Sequence, residues 1–318
     1  MEILFTTQLP LSGFSTLHAH HLIMPETAKF SRAELERLIV KCDVLVSTYD
    51  YPIDKIVIEK ATQLKMIANF GVGFNNIDLE SASAHHIIVT NTPDPVIEPT
   101  AEQAFTLMLA IAHRTAELDR KMRQTDEIKI GVMNNLGISI YGKTLGIIGM
   151  GRIGQSVAKR ARACGMNIIY NNRHQLDTSI EKTCEATYVS FDELLAQSDF
   201  ISLHLPYSNE SHHLINESAF QKMKKGATLI NTARGAVIDE KTLIKYLKNG
   251  TLWGAALDVF EKEPAISHEL LELDNVVMSP HIGTGTIDGR LAMCECVSQN
   301  ILHFENKQIN KMNWVNKF

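Results

Sequence analysis

The chain has 318 residues, 45% of them hydrophobic and 21% charged, with a formal net charge of -5. That length gives room for two domains, each burying a core of its own, so stability requires neither a disulfide framework nor a structural metal. The negative balance and the absence of a dense Lys/Arg run exclude a nucleic-acid footprint, and no stretch approaches the ~18 apolar residues of a membrane span.

Residues 1–11 place Glu2 in an apolar start and lack a basic region followed by a long apolar run, which predicts a first β-strand and not a secretory signal. The five cysteines are odd in number, scattered and without metal-ligand spacing. They predict reduced thiols in a cytoplasm and no metal site.

Short apolar runs then alternate with helical patterns at 2–6, 31–40, 44–47, 53–61, 66–70, 79–84 and 87–90. Strands alternating with amphipathic helices argue for parallel βαβ units. Residues 91–99 hold three prolines in nine positions. Proline removes backbone donors and restrains its predecessor, so a domain boundary is placed there.

From 100 to 123 the pattern predicts one long helix, apolar on more than one stripe at Ala104, Phe105, Leu107, Met108, Leu109, Ile111 and Ala112. A helix so apolar is buried on several sides, which points to a subunit interface and a homodimer. Further strands are predicted at 144–148, 167–170, 200–203, 228–231, 254–258 and 276–278, and a final helix at 288–305 that crosses back to the N-terminal domain. The fold class is α/β, two Rossmann-like domains with doubly wound parallel sheets. The substrate-binding, flavodoxin-like domain comprises 1–96 and 287–318, and the dinucleotide-binding domain 97–286.

The strand at 144–148 runs directly into Gly149-x-Gly151-x-x-Gly154, and a helical pattern follows. In that context the three glycines have distinct roles. Gly149 permits the tight turn, Gly151 lets backbone approach a pyrophosphate, and Gly154 allows close helix packing. The pyrophosphate would lie on the helix N-terminus, at the amides of Arg152 and Ile153. The acidic residue that binds the adenosine ribose is due roughly 20 residues on, at the end of the second strand. Asn172 stands there, followed by Arg173 and His174. With no anion to repel a 2'-phosphate and an arginine able to pair with one, the sequence favours NADP(H) over NAD(H). The competing reading has Asn172 on a ribose hydroxyl and Arg173 in solvent.

Three motifs follow in order: Asn231-Thr-Ala-Arg-Gly235, Leu257-Asp-Val-Phe-Glu-Lys-Glu-Pro264 and Ser279-Pro-His-Ile-Gly283. Each follows a predicted strand and so lies at the carboxyl edge of a sheet, where open α/β folds bind ligands. Together with Asn69-Phe-Gly-Val-Gly-Phe-Asn-Asn-Ile-Asp78, they resemble the D-isomer-specific 2-hydroxyacid dehydrogenases over nearly the whole chain, nearest in look to glyoxylate/hydroxypyruvate reductases and short 2-ketoacid reductases.

The resemblance implies an active-site cleft between two Rossmann-like domains, usually in a dimer. It makes Arg234 the ligand of the substrate carboxylate, His281 the acid/base and Glu263 the partner of His281. It adds backbone amides of Val72 and Gly73 on the carboxylate, and Thr232 and Asp258 at the cofactor. The chemistry fits independently. An arginine fork holds a planar carboxylate bidentately beside its carbonyl, histidine supplies a proton near neutral pH, and a carboxylate stabilises the imidazolium.

Glu261 competes with Glu263, but the family motif sets the carboxylate immediately before proline. Asp258 could equally be a strand-end cap, and Val72-Gly73 a structural turn. His18, His20, His21, His212 and His213 read as surface loops, His204 as structural support, and His113 as a packed core or interface histidine. Asp288-Gly-Arg290 stands where the family more usually has an acidic residue followed one position later by arginine, a departure at the cap of the last helix. The partner is thus a small 2-keto or 2-hydroxy acid. A second reading is a dinucleotide-gated binding protein of corepressor type; a third, formate or phosphite oxidation, has less use for a Glu-paired histidine.

Overall fold

The computed structural model describes residues 1–124 and 128–318. The chain divides into two compact units, Met1–Val96 with Thr284–Phe318, and Ile97–Gly283.

The first unit carries five parallel strands: β1 (Glu2–Phe5), β2 (His21–Ile23), β3 (Val44–Thr48), β4 (Met66–Phe70) and β5 (Ile88–Thr90), in the order β2-β1-β3-β4-β5. β3 and β4 are buried along their full length, because a parallel sheet covered on both faces demands continuous apolar runs. Alternate residues serve opposite cores, Leu4, Leu45, Ile67 and Val89 on one side and Ile3, Phe5, Val44, Val46 and Met66 on the other. The second core is closed by the helix Ile287–Glu305, which contributes Met293, Cys294, Val297 and Ile301. Thr286 caps that helix, its hydroxyl accepting from Gly289 N, and Asp288 follows in the first turn.

Among its described residues the second unit carries seven parallel strands: β6 (Thr144–Ile148), β7 (Asn167–Asn171), β8 (Ala186–Tyr188), β9 (Phe200–Leu203), β10 (Thr228–Asn231), β11 (Gly254–Leu257) and β12 (Val276–Met278). Their order is β12-β11-β10-β9-β6-β7-β8, so the strand order reverses between β6 and β9. The carboxyl ends at such a reversal open a crevice, the general ligand site of open α/β sheets.

Three expectations are corrected here. The stretch 100–123 is not one helix but two, Ile97–Ala112 and Thr115–Gln124, because Arg114 takes a left-handed conformation at φ 57. The Ala112 carbonyl, lost to the helix, accepts from Ile138 N, and the Arg114 guanidinium binds Glu117 and the Leu136 carbonyl. His113 lies at that break and is exposed, not packed. Two of the three histidines near the N-terminus are likewise no plain loop, while His18 lies in an exposed turn: His21 opens β2, and the buried His20 ring meets Glu305 at 3.3 Å.

Among the described residues no helix is long and apolar enough to cross a membrane.

Candidate active site

The glycine turn joins β6 to the helix Arg152–Ala163 with Gly151 at its N-cap. Gly149 has φ 95, and a side chain there would meet the His204 carbonyl at 2.6 Å. At Gly154 a Cβ would lie 2.5 Å from the Gly149 carbonyl, so only glycine lets the helix start this close to the turn. At Gly151 a Cβ would meet nothing within 4 Å. The helix thus begins against open space at Gly151, with Arg152 and Ile153 in the first turn, at the positive end of the helix dipole. This cradle fits a pyrophosphate. The Thr232 hydroxyl, buried just beyond β10 and without a partner among the described residues, offers one more polar contact.

Asn172 faces the same turn: its Oδ1 accepts from Met150 N at 2.7 Å, which ties the end of β7 to the glycine loop. Arg173 is exposed and paired with Glu210 at 2.6 Å, a partner supplied by the loop after β9. His204, at the end of β9, bonds Ser202 Oγ at 2.7 Å, and burial pushes its pKa down to about 4. It is a neutral, supporting group.

Arg234 follows β10 in a turn shaped by Asn231. The buried Asn231 amide donates to the Arg234 carbonyl at 2.9 Å and its Oδ1 accepts from Ala233 N at 2.9 Å. Gly235 completes the turn, since a Cβ there would overlap the Phe260 backbone at 1.9 Å. Two loops therefore touch, those carrying Arg234 and Glu263. Burial lowers the Arg234 pKa against the raising influence of Glu263, one Nη donating to the Ala233 carbonyl at 2.6 Å.

His281 Nδ1 lies 2.8 Å from Glu263 Oε2, with side-chain exposures of 23% and 31%. Glu263 Oε1 accepts from Phe260 N at 2.9 Å. Burial raises the Glu263 pKa, but the His281 hydrogen bond and charge, the Phe260 amide and the Arg234 charge together hold the carboxyl below its ordinary range. Glu261 is engaged elsewhere, at 3.1 Å from His213 Nε2, so the geometry selects Glu263 for His281. His213 is accordingly more than a loop histidine.

The His281 backbone is left-handed, φ 53, which costs an ordinary residue of order 1–3 kcal/mol and persists only where surroundings over-determine it. Asp258 supplies that determination. Its carbonyl accepts from His281 N at 2.8 Å, while its carboxylate accepts from Ser279 Oγ at 2.6 Å, Ile282 N at 2.9 Å and Gly283 N at 2.7 Å. Burial raises the Asp258 pKa despite those bonds. Gln103 Nε2 donates to Ser279 Oγ at 2.9 Å, extending the clamp into the helix Ile97–Ala112.

In the first unit Val72 and Gly73 follow β4, in a loop held by Asn69 and Asn91. Sequence reasoning missed the service roles of Asn69, Asn231, Gln103, Ser279 and Glu210. The motifs contained several of these residues, but nothing local announced their partners. Among the described residues no group of three or more His, Cys, Asp or Glu side chains is placed to hold a metal ion.

The model of the NAD-binding domain of D-isomer specific 2-hydroxyacid dehydrogenases matches residues 105–283. A glyoxylate reductase from Thermococcus litoralis is 42% identical over 322 aligned positions, covering 99% of this chain and 97% of that one. Among solved structures, a protein from Thermus thermophilus superposes with a TM-score of 0.90 at 36% identity, over 96% of this chain and 97% of that one. A glyoxylate reductase from Paecilomyes thermophila superposes at 0.86 with 33% identity, over 97% and 96%.

Proposed function

Because this chain belongs to the D-isomer specific 2-hydroxyacid dehydrogenase family, we propose that it reduces a small 2-keto acid, glyoxylate or hydroxypyruvate foremost, to the 2-hydroxy acid with NADP(H) in preference to NAD(H). The observation that carries the reading is the His281–Glu263 pair, with the Arg234 charge acting on the same carboxylate.

Gly149, Gly151, Arg152, Ile153 and Gly154 would hold the pyrophosphate, Asn172 and Arg173 the adenosine end, and Thr232 and Asp258 the approach to the nicotinamide. When bound, the dinucleotide supplies the hydride. The protein's own residues do the rest. The Arg234 fork, with Val72 and Gly73 amides, binds the carboxylate and draws charge toward the carbonyl oxygen. As negative charge develops there, His281 donates a proton from Nε2, and in the oxidative direction it removes one from the hydroxyl. Glu263 fixes the ring through Nδ1 and stabilises the imidazolium.

The NADP(H) preference rests on the neutral Asn172 and on Arg173, whose exposed pairing with Glu210 is weak enough for a 2'-phosphate to displace. The homodimer and a cytoplasmic setting, the latter suggested by the reduced cysteines, belong to the same proposal.

The test is steady-state oxidation of NADPH and NADH with glyoxylate, hydroxypyruvate, pyruvate and 2-ketogluconate, for wild type and His281→Ala. We expect turnover with at least one pair and a loss of about 10²- to 10⁴-fold in the variant. Tight coenzyme binding without turnover on any pair would instead indicate the dinucleotide-gated binding protein.

A further inference from the structure

The loop after β4 shows an unusual division of its backbone groups. All three carbonyls of residues 71–73 are held by side-chain amides: Asn69 Nδ2 takes Gly71 O at 3.1 Å and Gly73 O at 2.8 Å, and Asn91 Nδ2 takes Val72 O at 2.9 Å. Gly71 O also accepts from Thr92 N at 3.1 Å. The N–H groups of Val72 and Gly73, by contrast, donate to nothing among the described residues.

The two asparagines are themselves fixed. Asn69 is 0% exposed and its Oδ1 accepts from Ser47 Oγ at 3.2 Å. The Asn91 carbonyl accepts from Asn300 Nδ2 at 3.1 Å, which roots that side of the loop in the C-terminal helix. A peptide plane whose oxygen is pulled one way must present the neighbouring N–H the other way.

We propose that Asn69 and Asn91 form a two-point latch that aims the Val72 and Gly73 amides at the substrate carboxylate, so that the two buried asparagines are positioning residues for substrate binding. The proposal rests on the reading that those two N–H groups bind the carboxylate. Asn69 cannot be exchanged for an acid: aspartate has its shape but no donor, and would set an anion against two carbonyl oxygens. Asn231 does the equivalent work for the Arg234 turn, so both carboxylate-binding loops are aimed by a buried asparagine near the end of a strand.

The test compares wild type, Asn69→Asp, Asn91→Ala and Gly73→Pro, the last deleting one N–H without touching either asparagine. Three quantities are read: KM and kcat for glyoxylate, the inhibition constant of oxamate as a non-reacting carboxylate, and the NADPH dissociation constant by fluorescence titration. Misaimed donors should raise both KM and the oxamate constant by roughly ten-fold in Asn69→Asp, with kcat and NADPH affinity changed by less than about three-fold. Asn91→Ala, which removes only the Val72 hold, should show the same split with a smaller rise and carries the test should Asn69→Asp fold poorly. If both asparagine variants leave KM and oxamate binding unchanged while Gly73→Pro raises them, the latch is overturned and the amide reading stands. If Gly73→Pro also changes nothing, the amide reading fails and the latch falls with it. A fall in kcat at constant KM, or lost NADPH affinity, overturns the latch as well.

Discussion

Glu263 carries one signature in stability and another in kinetics. Burial disfavours its ionisation, yet the His281 hydrogen bond, the Phe260 amide and the Arg234 charge hold its pKa below the ordinary value. An acid whose folded pKa is depressed adds stability above its unfolded value, near pH 4, and that contribution is lost as pH falls through the folded value. Glu263→Gln should therefore melt below wild type at pH 7, and the two should converge in strong acid. Its kinetic signature is separate. In the proposed mechanism Glu263 fixes the His281 ring through Nδ1, so Glu263→Ala should lower kcat/KM at pH 7 by about ten-fold or more, and an unchanged kcat/KM would mean that Glu263 does not position His281. Arg173 invites a second test. An exposed ion pair is worth about 0.2–1 kcal/mol, so freeing Arg173 by Glu210→Gln should tighten 2',5'-ADP binding about 1.5- to 5-fold and leave 5'-AMP unaffected. At this scale Arg234, Glu263 and His281 were legible because their chemistry is specific to residue type and each follows a strand. The Asp258 clamp was not, since hydrogen bonds spanning 21 to 25 positions leave no local periodicity.

Elements were readable by their burial more than by their length. β3, β4, β6 and β10 stand out as apolar runs, and so do β5 and β12 at three residues each, whereas the equally short β2 and β8 are only partly buried and carry the polar His21 and Thr187. The break at Arg114 was hidden for another reason: no glycine or proline marks it, and the groups that stabilise it, Leu136 O and Ile138 N, lie more than twenty residues away. Gly235 gives the contrary lesson, a motif glycine whose cause lies in a neighbouring element. Here the Arg234 turn passes so close to the Phe260 backbone that a Cβ would overlap it. Gly235→Ala must push the two loops apart, at a cost typical of overpacking, about 1–3 kcal/mol. For a unit of this size that corresponds to a melting temperature lower by roughly 2–12 °C. Because the shift separates Arg234 from Glu263, kcat/KM should fall by more than KM alone explains; an unchanged melting temperature would show that the turn yields freely.

At the scale of the whole molecule the exposed apolar side chains bear on assembly. The apolar face of the helix Ile97–Ala112 pointed in sequence to an interface, but Ala104, Leu107, Met108 and Ile111 are buried within the chain's own core, so that helix does not argue for a partner. The proposed homodimer rests instead on the segment at 128–141. Ile130 is 96% exposed, Val132 92% and Met133 77%, with Leu136 and Tyr141 also exposed. Soluble monomers seldom leave large apolar side chains clustered in solvent, and such clusters mark contact surfaces. A second copy of this chain is the occupant our proposal names. Light scattering should then return twice the 35.5 kDa chain mass at micromolar concentration. Ile130→Asp with Val132→Asp should shift that mass toward the monomer, and the melting temperature of wild type should rise with protein concentration while that of the double variant does not. A wild-type mass of one chain, with melting independent of concentration, would leave these side chains without the proposed partner and remove assembly from the account of stability.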